Sequence, residues 1–405
     1  MKVLFVTVAY PKGAESYLQS LNNNIPMSIS SNTFQWAVIE GLYVNKADFA
    51  VVSQPSLCCF PFHFKKLFSP QMDMEFDGKK VGTMIKTLRL KFVTGIAGRI
   101  QLKKFINNWA RINQKENNLI VLVYDIQVNT LKSIISCKKM DGRIKVGAIV
   151  TDLVEDQMDP IYKRSVFARV RIRKEYLKVK KCYSDIDKFI LLTKSMEERI
   201  PEAIGRSIVV EGIALNPNTI FLPKREVKER TLLYTGSLDA HACVVDLVDA
   251  FRLTNNKSFK LIICGSGEGR DYIQRASQSD SRIIFRGFVS RDEAIRLQQG
   301  ATAVINPRKP TVSLTKYSFP SKTMEYLSSG TPMIGYKLTG IPEEYYQYYY
   351  TVEGLETKNL ASVITEVLEK PQEELDSKAK KAMAFIANQK TAEKQVKRII
   401  QFLTQ

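Results

Sequence analysis

Short apolar runs alternate with amphipathic stretches along the whole chain. In the first half the runs fall at residues 3–8, 49–52, 119–123, 147–151 and 188–192. In the second half they fall at 231–234, 260–264, 282–285, 303–305 and 332–335. They are rich in Val, Ile and Leu and lack polar alternation, as strands buried on both faces of a parallel sheet do. Helical periodicity fills the gaps, for example at 244–252, 269–278, 291–298 and 321–329. This alternation predicts an α/β, doubly wound architecture. The pattern breaks between 213 and 230, where Asn-Pro-Asn-Thr and then Pro-Lys-Arg-Glu-Val-Lys-Glu-Arg are polar and aperiodic, which is linker chemistry. The expected organisation is therefore a Rossmann-like domain over 1–213, a linker over 214–230 and a second domain over 231–385. A helical pattern covers 372–405. Its end, 386–405, either packs within the second domain or crosses back to the first. Two such domains are expected to face each other across a cleft at the carboxyl ends of their sheets, the usual binding place.

The chain has 405 residues, 44% apolar and 25% charged, which are globular values and argue against wholesale disorder. Its six Cys form no C-x-x-C, and only His63 and His241 could assist them. Reduced thiols and no structural zinc site are the expectation. No apolar run approaches the roughly 18–20 residues of a membrane span. Residues 1–10 read as a first buried strand rather than a signal core, so a cytoplasmic location is expected.

Charge adds more. Residues 1–200 carry 32 basic and 18 acidic side chains, and the remainder 28 and 23. An anionic partner met by the first half is the simple reading. Two stretches supply the excess. Residues 86–104 hold six Lys or Arg and no acid, and 163–181 hold nine with Glu175 alone against them. Tyr162, Val166, Val170 and Leu177 fall near one helical face of the second stretch. Either stretch alone could be a solvated face. Together they point to an anionic membrane surface or a lipid-diphosphate acceptor, met by Lys103, Lys104, Arg169, Arg171, Arg173 and Lys174. That makes a location at the inner face of the cell membrane the expectation. Nucleic acid is the rival for any basic surface, but no helix-turn-helix, zinc or RNA-binding signature supports it.

The most specific segment is YSFPSKTMEYLSSGTPMI at 317–334. Pro320 suits a helix start, where its missing N–H costs nothing, and Ser318 is a candidate N-cap. The N–H groups of Ser321 and Lys322 then point out of the helix tip, where the dipole favours an anion. Lys322 adds a formal charge, and Glu325 follows one turn later on a similar face. Such a tip can hold a nucleoside diphosphate, phosphates at the helix start and ribose on the carboxylate. A capped surface helix with a solvated Glu is the competing reading.

The segment resembles the donor-site motif of family 4 glycosyltransferases of GT-B architecture, especially bacterial capsule and exopolysaccharide members. Asn306-Pro307-Arg308 precedes it at the expected distance. Further similar pieces occur in order: Val150-Thr-Asp152-Leu, Tyr234-Thr-Gly236-Ser237, Cys264-Gly265-Ser266-Gly-Glu and Phe285-Arg-Gly-Phe-Val. The resemblance covers most of the second domain and little of the first. It implies a retaining, metal-independent hexosyltransferase in cell-surface polysaccharide synthesis, with a UDP- or GDP-sugar donor and a lipid-linked or oligosaccharide acceptor. In the family the Glu matching Glu325 binds the ribose. A second Glu of the pattern is replaced here by Tyr317. The Arg and Lys that bind the diphosphate are replaced by Ser237 and Ala242. Arg308, Lys316 and Lys322 are the available substitutes. The turn holding Gly265 and Ser266 lies near the base in the family, yet a plain strand–helix turn explains it equally. As a dinucleotide fingerprint it fails at its last position. Asp152, where the family often has His, could act as the acceptor's base or cap a turn. His241 lies close to the Gly236 turn. The rival readings are a non-catalytic binding or scaffold subunit, fed by the three substitutions, and a sugar-nucleotide epimerase, which two His in the chain disfavour.

Overall fold

The computed structural model describes residues 2–23, 28–124, 126–154, 165–214 and 229–405. The chain divides into two compact units: Met1–Ile213 with Ala392–Gln405, and Ala214–Thr391. The first runs β1 (Lys2–Thr7), α1 (Glu15–Leu21), α2 (Ile29–Val44), β2 (Phe49–Ser53), β3 (Met72–Phe76), β4 (Lys79–Met84), α3 (Thr94–Ile112), β5 (Leu119–Tyr124), α4 (Val128–Met140), β6 (Ile144–Val150), α5 (Val166–Lys180), β7 (Lys188–Leu191) and β8 (Ser207–Val209). Among the described residues its sheet has eight strands in the order β3-β4-β2-β1-β5-β6-β7-β8. All pairings are parallel except that of β3 with β4. Phe5 of β1 lies between Val51 and Leu122, all three fully buried, because a central parallel strand has no solvent face.

The second unit runs β9 (Arg230–Ser237), α6 (Val244–Arg252), β10 (Phe259–Ser266), α7 (Arg270–Ser279), β11 (Ile283–Gly287), α8 (Arg291–Gly300), β12 (Ala303–Asn306), α9 (Ser321–Ser328), β13 (Met333–Tyr336), β14 (Tyr350–Val352), α10 (Thr357–Glu369) and α11 (Gln372–Gln389). Among the described residues its sheet has six strands, order β11-β10-β9-β12-β13-β14, all parallel. In both sheets the strand order reverses beside the first strand, between β1 and β5 and between β9 and β12. Loops diverge there, so the carboxyl ends at these points form natural crevices.

The helical pattern over 372–405 resolves into two helices, α11 and α12 (Ala392–Thr404). The break comes at Lys390 and Thr391, because the Lys390 carbonyl accepts the Ala214 N–H at 2.8 Å and Thr391 bridges Ala214. Helix α12 belongs to the first unit, so the crossing falls at 391 rather than 386. Val396 and Ile399 are fully buried against Trp36, Leu42 and Leu122 in that core. Each such side chain contributes about 1.5–3 kcal/mol. Residues 215–228 of the expected linker lie outside the described residues, as do 155–164, which include Tyr162 and the start of the second basic stretch.

Candidate functional site

In the second unit, β9 delivers Gly236 and Ser237 to the carboxyl edge, β10 delivers Gly265 and Ser266, and β12 delivers Asn306 just before Arg308. The two glycine turns interlock. Gly265 has φ +148°, and a Cβ there would stand 1.8 Å from the Gly236 carbonyl oxygen. The Leu238 N–H donates to the Ser266 carbonyl at 2.9 Å, and the Gly269 N–H to the Leu238 carbonyl at 2.9 Å. Loop-to-loop packing thus accounts for this turn's glycine content. Ser237 is exposed and its hydroxyl bonds Asp239, while Ala242 is buried.

Helix α9 follows at the same edge. Pro320 is its N-cap and Ser321 its first residue, with the Thr323 N–H donating to the Pro320 carbonyl at 2.8 Å. This corrects the expectation that Ser318 caps the helix. The Ser318 carbonyl instead lies against Gly340, where a Cβ would approach it to 2.3 Å. The helix stops at Ser329, before Gly330 with φ +77°. Apolar and hydroxyl groups of α9 seat it on the sheet. Tyr326 is fully buried, accepts the Thr235 N–H at 2.9 Å and donates to the Thr235 carbonyl at 3.1 Å. Burial raises its phenol above the ordinary range, so it remains a neutral donor.

This seating leaves Ser321 exposed and Lys322 and Glu325 half-buried at the rim. Lys322 Nζ lies 2.9 Å from Glu325 Oε1 and 5.9 Å from the Tyr326 ring centroid. Buried Gln298 donates to the same Oε1 at 2.5 Å and to Thr235 Oγ1 at 2.9 Å, so it locks the carboxylate to β9. Sequence reasoning missed Gln298, which sits on α8 with no motif around it. Arg308, half-buried, lies near His241: burial foremost, then the guanidinium, lowers the His241 pKa and favours its neutral form. Lys309, by contrast, is spent on Asp246 at 2.9 Å. Lys316, Tyr317 and Ser318 are half-buried on the approach to α9, and Lys316 Nζ lies 5.6 Å from the Tyr317 ring centroid. Gly236, Ser237, Gly265, Ser266, Arg308 and the α9 residues are thus all residues of the second unit, whereas Asp152 lies in the first.

There, a cavity of about 280 Å³ opens at the carboxyl ends of β1, β5 and β6. Its lining includes Tyr10, Ser31, Asn32, Gln35, Tyr124 and Asp152. The Gln35 carbonyl oxygen accepts from Val8 N–H at 2.8 Å and from the Thr7 hydroxyl, and its amide donates to Ser31 Oγ at 3.1 Å. Tyr124 donates to the same Ser31 hydroxyl at 3.1 Å, and Asn32 accepts the Tyr10 N–H at 2.9 Å. The wall is built of neutral hydroxyls and amides, chemistry suited to a saccharide, although Gln35 is already satisfied within the protein. Asp152 keeps an exposed edge, yet the protein packed around its carboxyl raises its pKa by desolvation, with Thr151 Oγ1 at 3.4 Å opposing. His63 is exposed on a loop elsewhere in this unit.

The basic stretches are only partly surface. Arg89 is buried, its Nε donating to the Cys58 carbonyl at 3.1 Å. Lys103 is half-buried, while Lys104, Arg169, Arg171, Arg173 and Lys174 are exposed. Val166, Val170 and Leu177 are also exposed, at 75%, 50% and 50%. No helix of the described residues is long and apolar enough to cross a membrane.

Comparison with known proteins bears on the fold. Residues 229–370 match the family model described as glycosyl transferases group 1. Over 119 residues the chain is 26% identical to an uncharacterized glycosyltransferase of Methanocaldococcus jannaschii, a match that spans 28% of this chain and only 29% of that protein. A lipopolysaccharide outer core galactosyltransferase in its apo form superposes over 100% of this chain and 99% of its own, with TM-score 0.59 and 14% identity. A sucrose-phosphate synthase from Thermosynechococcus elongatus does so over 100% and 98%, with TM-score 0.67 and 14% identity. At these identities the likeness defines the fold: α/β, GT-B, with two Rossmann-like units.

Proposed function

We propose that this protein is a glycosyltransferase whose second unit holds a nucleoside-diphosphate sugar, UDP- or GDP-linked, and whose first unit binds the saccharide acceptor. The observation that carries the reading is the α9 tip, where Ser321 and Lys322 stand at the helix start and Glu325 is fixed one turn in by Gln298 and Lys322. The two contacts fall on Oε1, which leaves Oε2 for a ribose hydroxyl. The Lys322–Glu325 pair does not forbid a phosphate role for Lys322. A partly exposed pair of this kind is worth on the order of 1 kcal/mol or less, whereas charge-assisted bonds to a phosphate are worth about 1.5–3 kcal/mol.

In the reaction the bond between the anomeric carbon and the diphosphate oxygen breaks, and a bond to the acceptor hydroxyl oxygen forms. Negative charge grows on the departing diphosphate, and Lys322, Arg308 and the helix tip stabilise it. Asp152 orients the acceptor hydroxyl and takes its proton. Its raised pKa brings a carboxylate base closer to neutrality, where proton transfer is more effective. The family resemblance supports retention of configuration, and a place in capsule or exopolysaccharide synthesis on a lipid-linked acceptor. The exposed α5 side chains Arg169, Arg171, Arg173 and Lys174, beside Val170 and Leu177, support contact with an anionic inner membrane face.

The test is a thermal-shift screen of nucleotide sugars on the full chain, since binding to the native state raises the melting point. Transfer to membrane-extracted lipid acceptors and the anomeric configuration of the product by proton NMR complete it. A chain that no nucleotide sugar stabilises would contradict the donor assignment. A second reading, donor binding without turnover, is favoured by Ser237 and Ala242, neither of which brings a cation. Stabilisation without transfer would select it.

A further inference from the structure

A second cavity, of about 660 Å³, lies in the first unit among α3, α4 and α5; it shares no lining residue with the cavity at Asp152, and of the basic residues singled out above only Lys103 lines it. Helices α3 and α4 run side by side in one direction: the Ser133 hydroxyl reaches the Arg99 carbonyl, and Lys103 Nζ donates to Ser136 Oγ at 2.9 Å. Cations recur on each wall at helical spacing, Arg99 and Lys103 on α3, Lys132 and Lys139 on α4, and Lys178 with Lys181 at the end of α5. One carboxylate faces them, Asp185, which lies 3.7 Å from Lys139 Nζ. Among the described residues no carboxylate pairs with Arg99, Lys132, Lys178 or Lys181.

Lys139, Lys178 and Lys181 have a local reason to be there, since cations are favoured at helix carboxyl ends. Arg99 and Lys132 sit within their helices and have none, and Lys103 has only its bond to the Ser136 hydroxyl. Like charges converging on one hollow repel each other unless an anion joins them. The volume falls in the range of ligand pockets, about 300–1,000 Å³.

We propose that this groove binds an anion carrying two or more phosphoryl groups, held by Arg99, Lys103 and Lys132 with the lysines of the helix ends. Six cations against one carboxylate exceed what a single carboxylate or monophosphate would neutralise. The proposal does not depend on the donor reading, and its test reads equilibrium binding, so either can fail alone.

The test uses the full chain and two probes. Inorganic pyrophosphate is titrated by calorimetry, and phosphatidylcholine vesicles containing cardiolipin are compared by flotation with vesicles of equal charge containing phosphatidylserine. The variants are Arg99→Gln with Lys132→Gln, and Lys180→Gln, a nearby charge outside the groove. Melting profiles confirm that each is folded. Pyrophosphate binding that weakens about tenfold per removed groove cation, with Lys180→Gln unaffected, supports a soluble ligand. A cardiolipin preference lost only in the groove variant supports a lipid-borne one. Binding of neither probe, or equal losses in the groove and Lys180 variants, would overturn the proposal.

Discussion

The two units share one construction and differ in how they carry chemistry. Each is a parallel sheet whose order reverses beside its first strand, and each places its polar side chains at that reversal. In the second unit the chemistry is nearly contiguous: Lys322 and Glu325 lie on one helix, with Arg308 a short loop upstream. In the first the cavity wall is gathered from Tyr10, Ser31, Gln35, Tyr124 and Asp152, far apart in sequence. The first unit also holds most of the excess positive charge. Topology fixes where a crevice forms; the residues delivered there fix whether its wall is charged or neutral.

The largest effect should come from the charge difference. Replacing Arg169, Arg171, Arg173 and Lys174 together with Gln should cost about 4 kcal/mol of partitioning to anionic vesicles, at about 1 kcal/mol per cation near the surface. Unchanged co-sedimentation would remove the membrane role from the first unit. Next, Gly265→Ala should destabilise the second unit by about 3 kcal/mol or more, since it combines a disfavoured φ with a clash on the Gly236 carbonyl. A normal melting curve would show that the two loops are not interlocked. Tyr326→Phe should cost about 1–3 kcal/mol, because the Thr235 N–H loses its buried acceptor. Denaturant titration measures this.

The smallest effect separates the pocket carboxylate from its neighbours. Desolvation raises the folded-state pKa of Asp152 above its unfolded value, so the folded state holds the proton more tightly. Folding is therefore favoured below the ordinary carboxylate range and loses that contribution as pH rises through the folded pKa. Asp152→Asn should match the wild type in acid and gain stability relative to it across that window. A gap of opposite sign would mean the carboxylate is held by a cation.

Much of the fold was legible because parallel strands buried on both faces must be continuous apolar runs, as at β1, β5, β9 and β12. Strands β8 and β14, three residues each at sheet edges, leave too short a trace. The β3–β4 hairpin is one strand pair the apolar pattern passed over, since its residues mix Lys, Asp and Glu with Met. Its Asp77-Gly78 turn, with φ +52° and +69°, was the available signal. At the site, Lys322 and Glu325 stood out because one helix carries both. Gln298 did not, because its bond to Glu325 joins residues 27 apart and a lone Gln on a helix has no signature. The first-unit cavity was legible only at Asp152, whose strand-end position is visible without the tertiary fold.

The central claim is that the α9 tip binds a nucleoside diphosphate, and calorimetry of UDP and GDP with the full chain tests it most directly. One of the two should bind the wild type, and Lys322→Ala should weaken it about tenfold, while Lys337→Ala, an exposed lysine of the same unit, should leave it unchanged. Affinity for neither nucleotide, or equal affinity in all three proteins, would contradict the claim.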